Sequence, residues 1–176
     1  MGYTTYFIGM FDITPTLTPE HLEYLTWFSK TRRVKRDAIA TAVLPDPVRE
    51  AVGLPVGIDG GFYIGDTRRN FHDDREIGVT DHNNPPEGQP GLWCQWVPDS
   101  VGTSLQWDEV EKFYDYIDWL KYLMAKFLTP WGYALNGTVE WFGEESDDRG
   151  MIILEGTDKV RVRYMLADPH SAAVDV

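Results

Sequence analysis

The chain has 176 residues, 43% of them hydrophobic and 14% aromatic, and a net charge of −12 from 28 Asp and Glu against 16 Lys and Arg. That composition is globular and long enough to bury a core of its own, and a field of this sign argues against direct contact with nucleic acid or anionic membrane. The single cysteine, Cys94, leaves no intramolecular disulfide and fits a reducing, cytoplasmic compartment, while no apolar run approaches the ~20 residues that span a bilayer.

Taken in order, YTTYFIGMFDI alternates apolar and polar residues and predicts a first strand rather than a secretory leader. In TLTPEHLEYLTWFSK, Thr18 is placed as a helix N-cap and Pro19 at the first helical position, with Leu22, Leu25 and Phe28 on a buried face. The helix runs out into KTRRVKRD, where Lys30, Arg32 and Arg33 complement its dipole. PDPVREAVG predicts one or two helical turns capped by Asp46. A glycine-rich turn and a short strand through Phe62–Ile64 follow, without the Gly-Lys-Ser/Thr of a phosphate-binding loop.

GLWCQWVPD is apolar on both faces and reads as a central strand, paired with SLQW. WDEVEKFYDYIDWLKYLMAKFL then gives the longest predicted helix. Asp108 and Glu111 form a capping-box pattern, and Phe113, Tyr116, Ile117, Leu120, Leu123, Met124 and Phe127 fall on one face. ALNGTVEWFG, GMIILE and KVRVRYM predict a meander of strands. The sum is an α+β protein: an antiparallel-dominated sheet with two main helices packed on one face, a C-terminal β-meander and an irregular insert at about 34–90. Its element order is compatible with a ferredoxin-like split arrangement. Residues 1–170 are expected to form a single domain and 171–176 a disordered tail.

Three groups of residues are candidates for function. RRNFHDDREIGVTDHNNPP holds His72, Asp73, Asp74, Asp81 and His82, the right atoms for a metal. Their spacing matches no ligand pattern, and a surface loop with Asp81 and Asn83 capping turns accounts for them; no metal and no cofactor are expected. Cys94 lies in an apolar strand, where a thiol is inert, no nucleophile elbow is present, and no catalytic residue is assigned. The second group is basic: Arg32, Arg33 and Arg36, which with Asp81, His82 and Asn83 would form an anionic-ligand or hydrolase site.

The third group is acidic. Residues 99–158 carry 13 acidic and 4 basic side chains, net −9. On the predicted helix Asp108, Glu111, Asp115 and Asp118 recur at helical spacing, and Glu144, Glu145, Asp147 and Asp148 crowd a hairpin turn. Brought together, they would make a negative surface that imitates a phosphate backbone; a solvated helix face and an acidic turn account for the same residues.

PPEGQPGLWCQWVPD, EKFYDYIDWLKYL and PWGYALNGTVEWFGEESDDRG resemble a group of uncharacterised small proteins of bacteria and their phages, over most of residues 80–160. The resemblance implies a bacterial or phage source and transfers no site. The leading expectation is a non-catalytic acidic accessory protein binding a basic protein surface, such as that of a nucleic-acid-binding protein. By analogy with small acidic phage proteins, it would be an inhibitor or nucleic-acid mimic acting on host defence machinery. No direct nucleic acid or membrane contact is expected, and homodimerisation is left open.

Overall fold

The computed structural model describes residues 2–67, 77–165 and 173–176. It confirms a mixed α+β protein with a large antiparallel sheet, in two compact units: Met1–Leu17 with Gln95–Val176, and Thr18–Cys94. The second is inserted after the first strand of the first. It is larger than the expected insert, because it takes in the first helix.

The sheet unit is built on β1 (Tyr6–Thr14), flanked by β5 (Ser104–Trp107) and β6 (Ala134–Phe142). The full order adds β4 (Trp96–Pro98) beside β5, and β7 (Arg149–Gly156), β8 (Lys159–Tyr164) and β9 (Val174–Asp175) beyond β6, each pair antiparallel. This differs from the ferredoxin-like arrangement, in which the strand after the first helix returns to the sheet of the first strand; here that strand, Lys35–Arg36, pairs outside the seven-stranded sheet. The strand expected to be central, β4, lies at the edge, and the expected tail supplies β9 over Val174–Asp175. Alternation sends Phe7, Phe11 and Ile13 of β1, Leu135, Val139 and Trp141 of β6, and Ile152 and Leu154 of β7 into the core. Gly150 sits opposite Trp141 because a Cβ there would run into the indole.

The predicted long helix is shorter than its apolar periodicity suggests. α4 spans Tyr116–Leu123 and continues as a π-helical turn, Met124–Leu128, in which Thr129 N–H donates to the Met124 carbonyl at 2.9 Å. Trp119, Leu120, Leu123 and Phe127 are buried, and the Tyr116 ring meets Phe7 at 4.9 Å and Trp141 at 6.3 Å, so α4 covers the inward face of the sheet. Residues 108–115 are not helical.

The inserted unit contains α1 (Pro19–Lys30), where Thr18 Oγ1 accepts from His21 N–H as expected of the cap. It also holds β2 (Lys35–Arg36), α2 (Ala38–Ala42), α3 (Pro47–Ala51), a 3₁₀ turn (Ile58–Gly60) and β3 (Val79–Asp81), with β2 and β3 paired. The strand expected through Phe62–Ile64 does not form. Asp46 stands at the N-cap of α3 but does not cap it. Its carboxylate is fully buried and accepts from Arg49 Nε at 2.6 Å and from the N–H groups of Ile64 and Gly65 at 3.3 and 3.0 Å. Arg49 donates in turn to the Leu54 carbonyl at 2.6 Å. One ion pair therefore fixes α3 to the backbone on both sides. Burial pushes the Asp46 carboxyl above its ordinary value, against the opposing pull of Arg49 and the two N–H groups.

Replacing Arg49 by Met leaves that carboxylate buried without its counter-charge, at a cost of about 3 kcal/mol at neutral pH. The folded Asp46 pKa of the variant then rises further above the unfolded value. Its stability is intact below that unfolded value and falls as pH climbs through the raised folded one. Chemical denaturation across pH should show a deficit against wild type that grows with pH; a pH-independent deficit would contradict the buried-charge account.

Candidate functional site

The acidic residues of the sheet unit do not form a helical stripe. α4 starts at Tyr116, so of the four only Asp118 lies on it, paired with Lys121 Nζ at 3.8 Å. Asp108, Glu111 and Asp115 belong to the irregular segment 108–115. Glu109, Lys112 and Asp115 adopt left-handed backbone at φ 65°, 63° and 55°, which costs a non-glycine residue about 1 kcal/mol or more each.

The cause is visible in the packing. Phe113 is buried at 2% exposure, its ring 5.4 Å from Trp96 and 5.8 Å from Phe7. Side chains of the sheet hold the backbone around it. Trp107 Nε1 donates to the Val110 carbonyl at 3.2 Å, Gln95 Nε2 to that of Glu111 at 3.2 Å, and Trp96 Nε1 to that of Tyr116 at 2.8 Å. Asp108 Oδ1 accepts from Val110 N–H at 3.0 Å, and burial pushes its carboxyl upward. Asp108 therefore shapes the turn, while Glu109, Glu111 and Asp115 are exposed. The capping-box reading of Asp108 and Glu111 is corrected: the segment is pinned by aromatic burial before the helix begins.

The hairpin acids divide in the same way. Asp148 accepts from the Tyr3 hydroxyl at 2.5 Å and from Trp141 Nε1 at 3.1 Å, and Glu144 accepts from Thr4 N–H at 2.7 Å. Gly143 leaves the room for this, since a Cβ there would collide with Asp148 and the Tyr3 hydroxyl. The hydrogen bond to Asp148 holds the Tyr3 phenol above its ordinary range, and burial does the same for Tyr116, with Asp148 adding to it. Glu145 and Asp147 stay exposed. Tyr3 N–H also donates to the Tyr114 hydroxyl at 3.1 Å, so residues 3 and 4 bridge the two acidic segments. The structure thus brings the 108–115 segment and the 143–148 hairpin to one end of the sheet unit. Tyr3 and Thr4 carried no signal in the sequence, because their partners lie more than 100 positions away.

The basic cluster does not converge. Arg33 is buried and donates to the carbonyls of Thr31, Gly61 and Tyr63, with its guanidinium 4.5 Å over the Phe28 ring. Arg36 is buried, donates to the Ile77 carbonyl at 2.9 Å and stacks on Tyr63 at 4.6 Å. Both build the inserted unit. Arg32 is exposed and donates to the His82 carbonyl at 3.1 Å. Asp81 caps the turn by accepting from the N–H groups of Asn83 and Asn84 and from the Asn84 amide, and these bonds hold its carboxyl below the ordinary range. His72, Asp73 and Asp74 lie outside the described residues. Among the described residues no group of three or more His, Cys, Asp and Glu could hold a metal, and no helix is long and apolar enough to cross a membrane. Compared with protein-family models, curated proteins and solved structures, the chain matches none.

The left-handed backbone of the acidic segment is directly testable. Glu109→Gly should raise stability by about 0.5 kcal/mol, because glycine adopts that conformation without strain. Glu111→Gly, at an ordinary φ, should lower it by a similar amount. Equal losses in both variants, read by thermal or urea unfolding, would rule out the strained conformation.

Proposed function

We propose that the protein is a non-catalytic accessory protein that docks its acidic end on a basic surface of a partner protein. The observation that carries this reading is the bridge made by Tyr3 and Thr4, which ties a strained acidic segment to an acidic hairpin. Residues in left-handed backbone persist only where their surroundings over-determine them, and such strain is concentrated at functional positions. Here it holds Glu109, Glu111 and Asp115 outward on a fixed backbone, beside Glu145 and Asp147. Carboxylates held in place lose little freedom on binding, and their field steers a basic partner toward them. The resemblance to small bacterial and phage proteins favours a bacterial nucleic-acid-binding or defence protein as partner, with the acidic end in the place of a phosphate backbone.

The test is capture from bacterial lysate on immobilised wild type and on a Glu111→Gln, Asp115→Asn, Glu145→Gln, Asp147→Asn variant. These four residues are exposed, so the fold should be unchanged by circular dichroism. A partner with a basic surface should be retained by wild type, released as salt rises, and bound at least about tenfold more weakly by the variant. Capture of the same proteins by both would contradict the proposal.

A further inference from the structure

The outward face of the sheet does not behave as a solvated face should. Antiparallel sheets with one wet face place polar residues there, yet β1 presents Tyr6, Ile8 and Met10, exposed at 55%, 64% and 50%. The register lines them up with their neighbours. Ile8 pairs with Glu140, then Met151 and Arg163; Met10 with Thr138, then Ile153 and Arg161; Tyr6 with Phe142, then Arg149. The row at one end runs Asp12, Asn136, Glu155, Lys159. The result is a patch of six apolar side chains, Tyr6, Ile8 and Met10 of β1, Phe142 of β6, and Met151 and Ile153 of β7, interrupted on β6 by Glu140 and Thr138, of the kind that marks an interface.

We propose that this face is a homodimer interface, in which two copies of the chain pack their sheets face to face. Two features point to a second copy. First, the face is neutral, with Arg149, Lys159, Arg161 and Arg163 against Asp12, Glu140, Glu155 and Asp175, in a chain of net charge −12. A second copy meets no net charge repulsion on this face. Second, its charges are placed in a self-complementary way: Lys159 and Arg163 of β8 stand at one edge, where Arg161 pairs with Glu155 and Asp175, and Asp12 of β1 stands toward the other. A two-fold axis parallel to the strands, between β6 and β7, lays β1 of one copy over β8 of the other and β6 over β7. Asp12 then faces Lys159 of the second copy, and Ile8 and Met10 cover the aliphatic stems of its Arg163 and Arg161. Phe142 meets its Arg149 in cation–π geometry. Aligned sheet packing of this kind forms a core about 10 Å thick.

The test is sedimentation equilibrium of the full chain at low and high salt. Dimerisation should strengthen as salt screens the repulsion between two acidic copies, the opposite of the dependence expected for docking at the acidic end. Ile8→Asp should abolish the dimer. Asp12→Lys and Lys159→Asp should each weaken it several-fold, and the double exchange should restore it. Circular dichroism confirms that each variant is folded. A monomer at every salt, or a dimer unaffected by Ile8→Asp, would overturn the inference, as would a double exchange no tighter than the singles.

Discussion

The sheet unit depends on the burial of one ring. Phe7, on the inward side of β1, meets Trp96, Trp107, Phe113 and Tyr116 at 4.9–5.8 Å, all near edge-to-face. These rings come from β4, β5, the segment before α4, and α4 itself, so a single contact gathers the N-terminal strand and the middle of the chain. Pairs of this kind are worth about 1 kcal/mol each beyond the area they bury. Drawing Phe113 into the cluster contributes a further ~2–3 kcal/mol. That is comparable to the strain of three left-handed residues, and hydrogen bonds from Trp96, Trp107 and Gln95 tip the balance.

The same constraint explains why acidic residues stand where they do. A helix continued back to Trp107 would carry Asp108, Glu111 and Asp115 as an ordinary solvated stripe. With Phe113 plugged inward, the backbone turns outward on either side, and the carboxylates are displayed on a segment with little freedom. Tyr3 and Thr4 then close this segment onto the hairpin. Core packing therefore sets where the surface charge of the sheet unit is displayed.

Much of the fold was legible in the sequence. Period-two alternation marked β1, pairing across a turn marked β5, strand runs between turns marked the β6–β8 meander, and Thr18–Pro19 marked the start of α1. What failed did so for tertiary reasons. The Asp108–Glu111 capping pattern and the apolar periodicity both favour helix, but aromatic burial outweighs local propensity over residues 108–115. Asp46 and Pro47 looked like a helix cap, yet that carboxylate is committed to Arg49 and to the backbone of Ile64 and Gly65. Arg33 and Arg36 looked like an anion pocket, and their guanidinium groups are occupied by carbonyls. Of the candidate acidic site, the residue types were legible; the division into structural and displayed carboxylates was not, because it rests on contacts between distant segments.

Phe113 burial sets the conformation of the acidic segment. The most direct measurement is backbone NMR of Glu109, Lys112 and Asp115 in wild type and in Phe113→Ala. Left-handed chemical shifts and couplings are expected at all three in wild type, and their loss when the ring is removed. Helical values across residues 108–115 in wild type, or left-handed values unchanged in the variant, would contradict it.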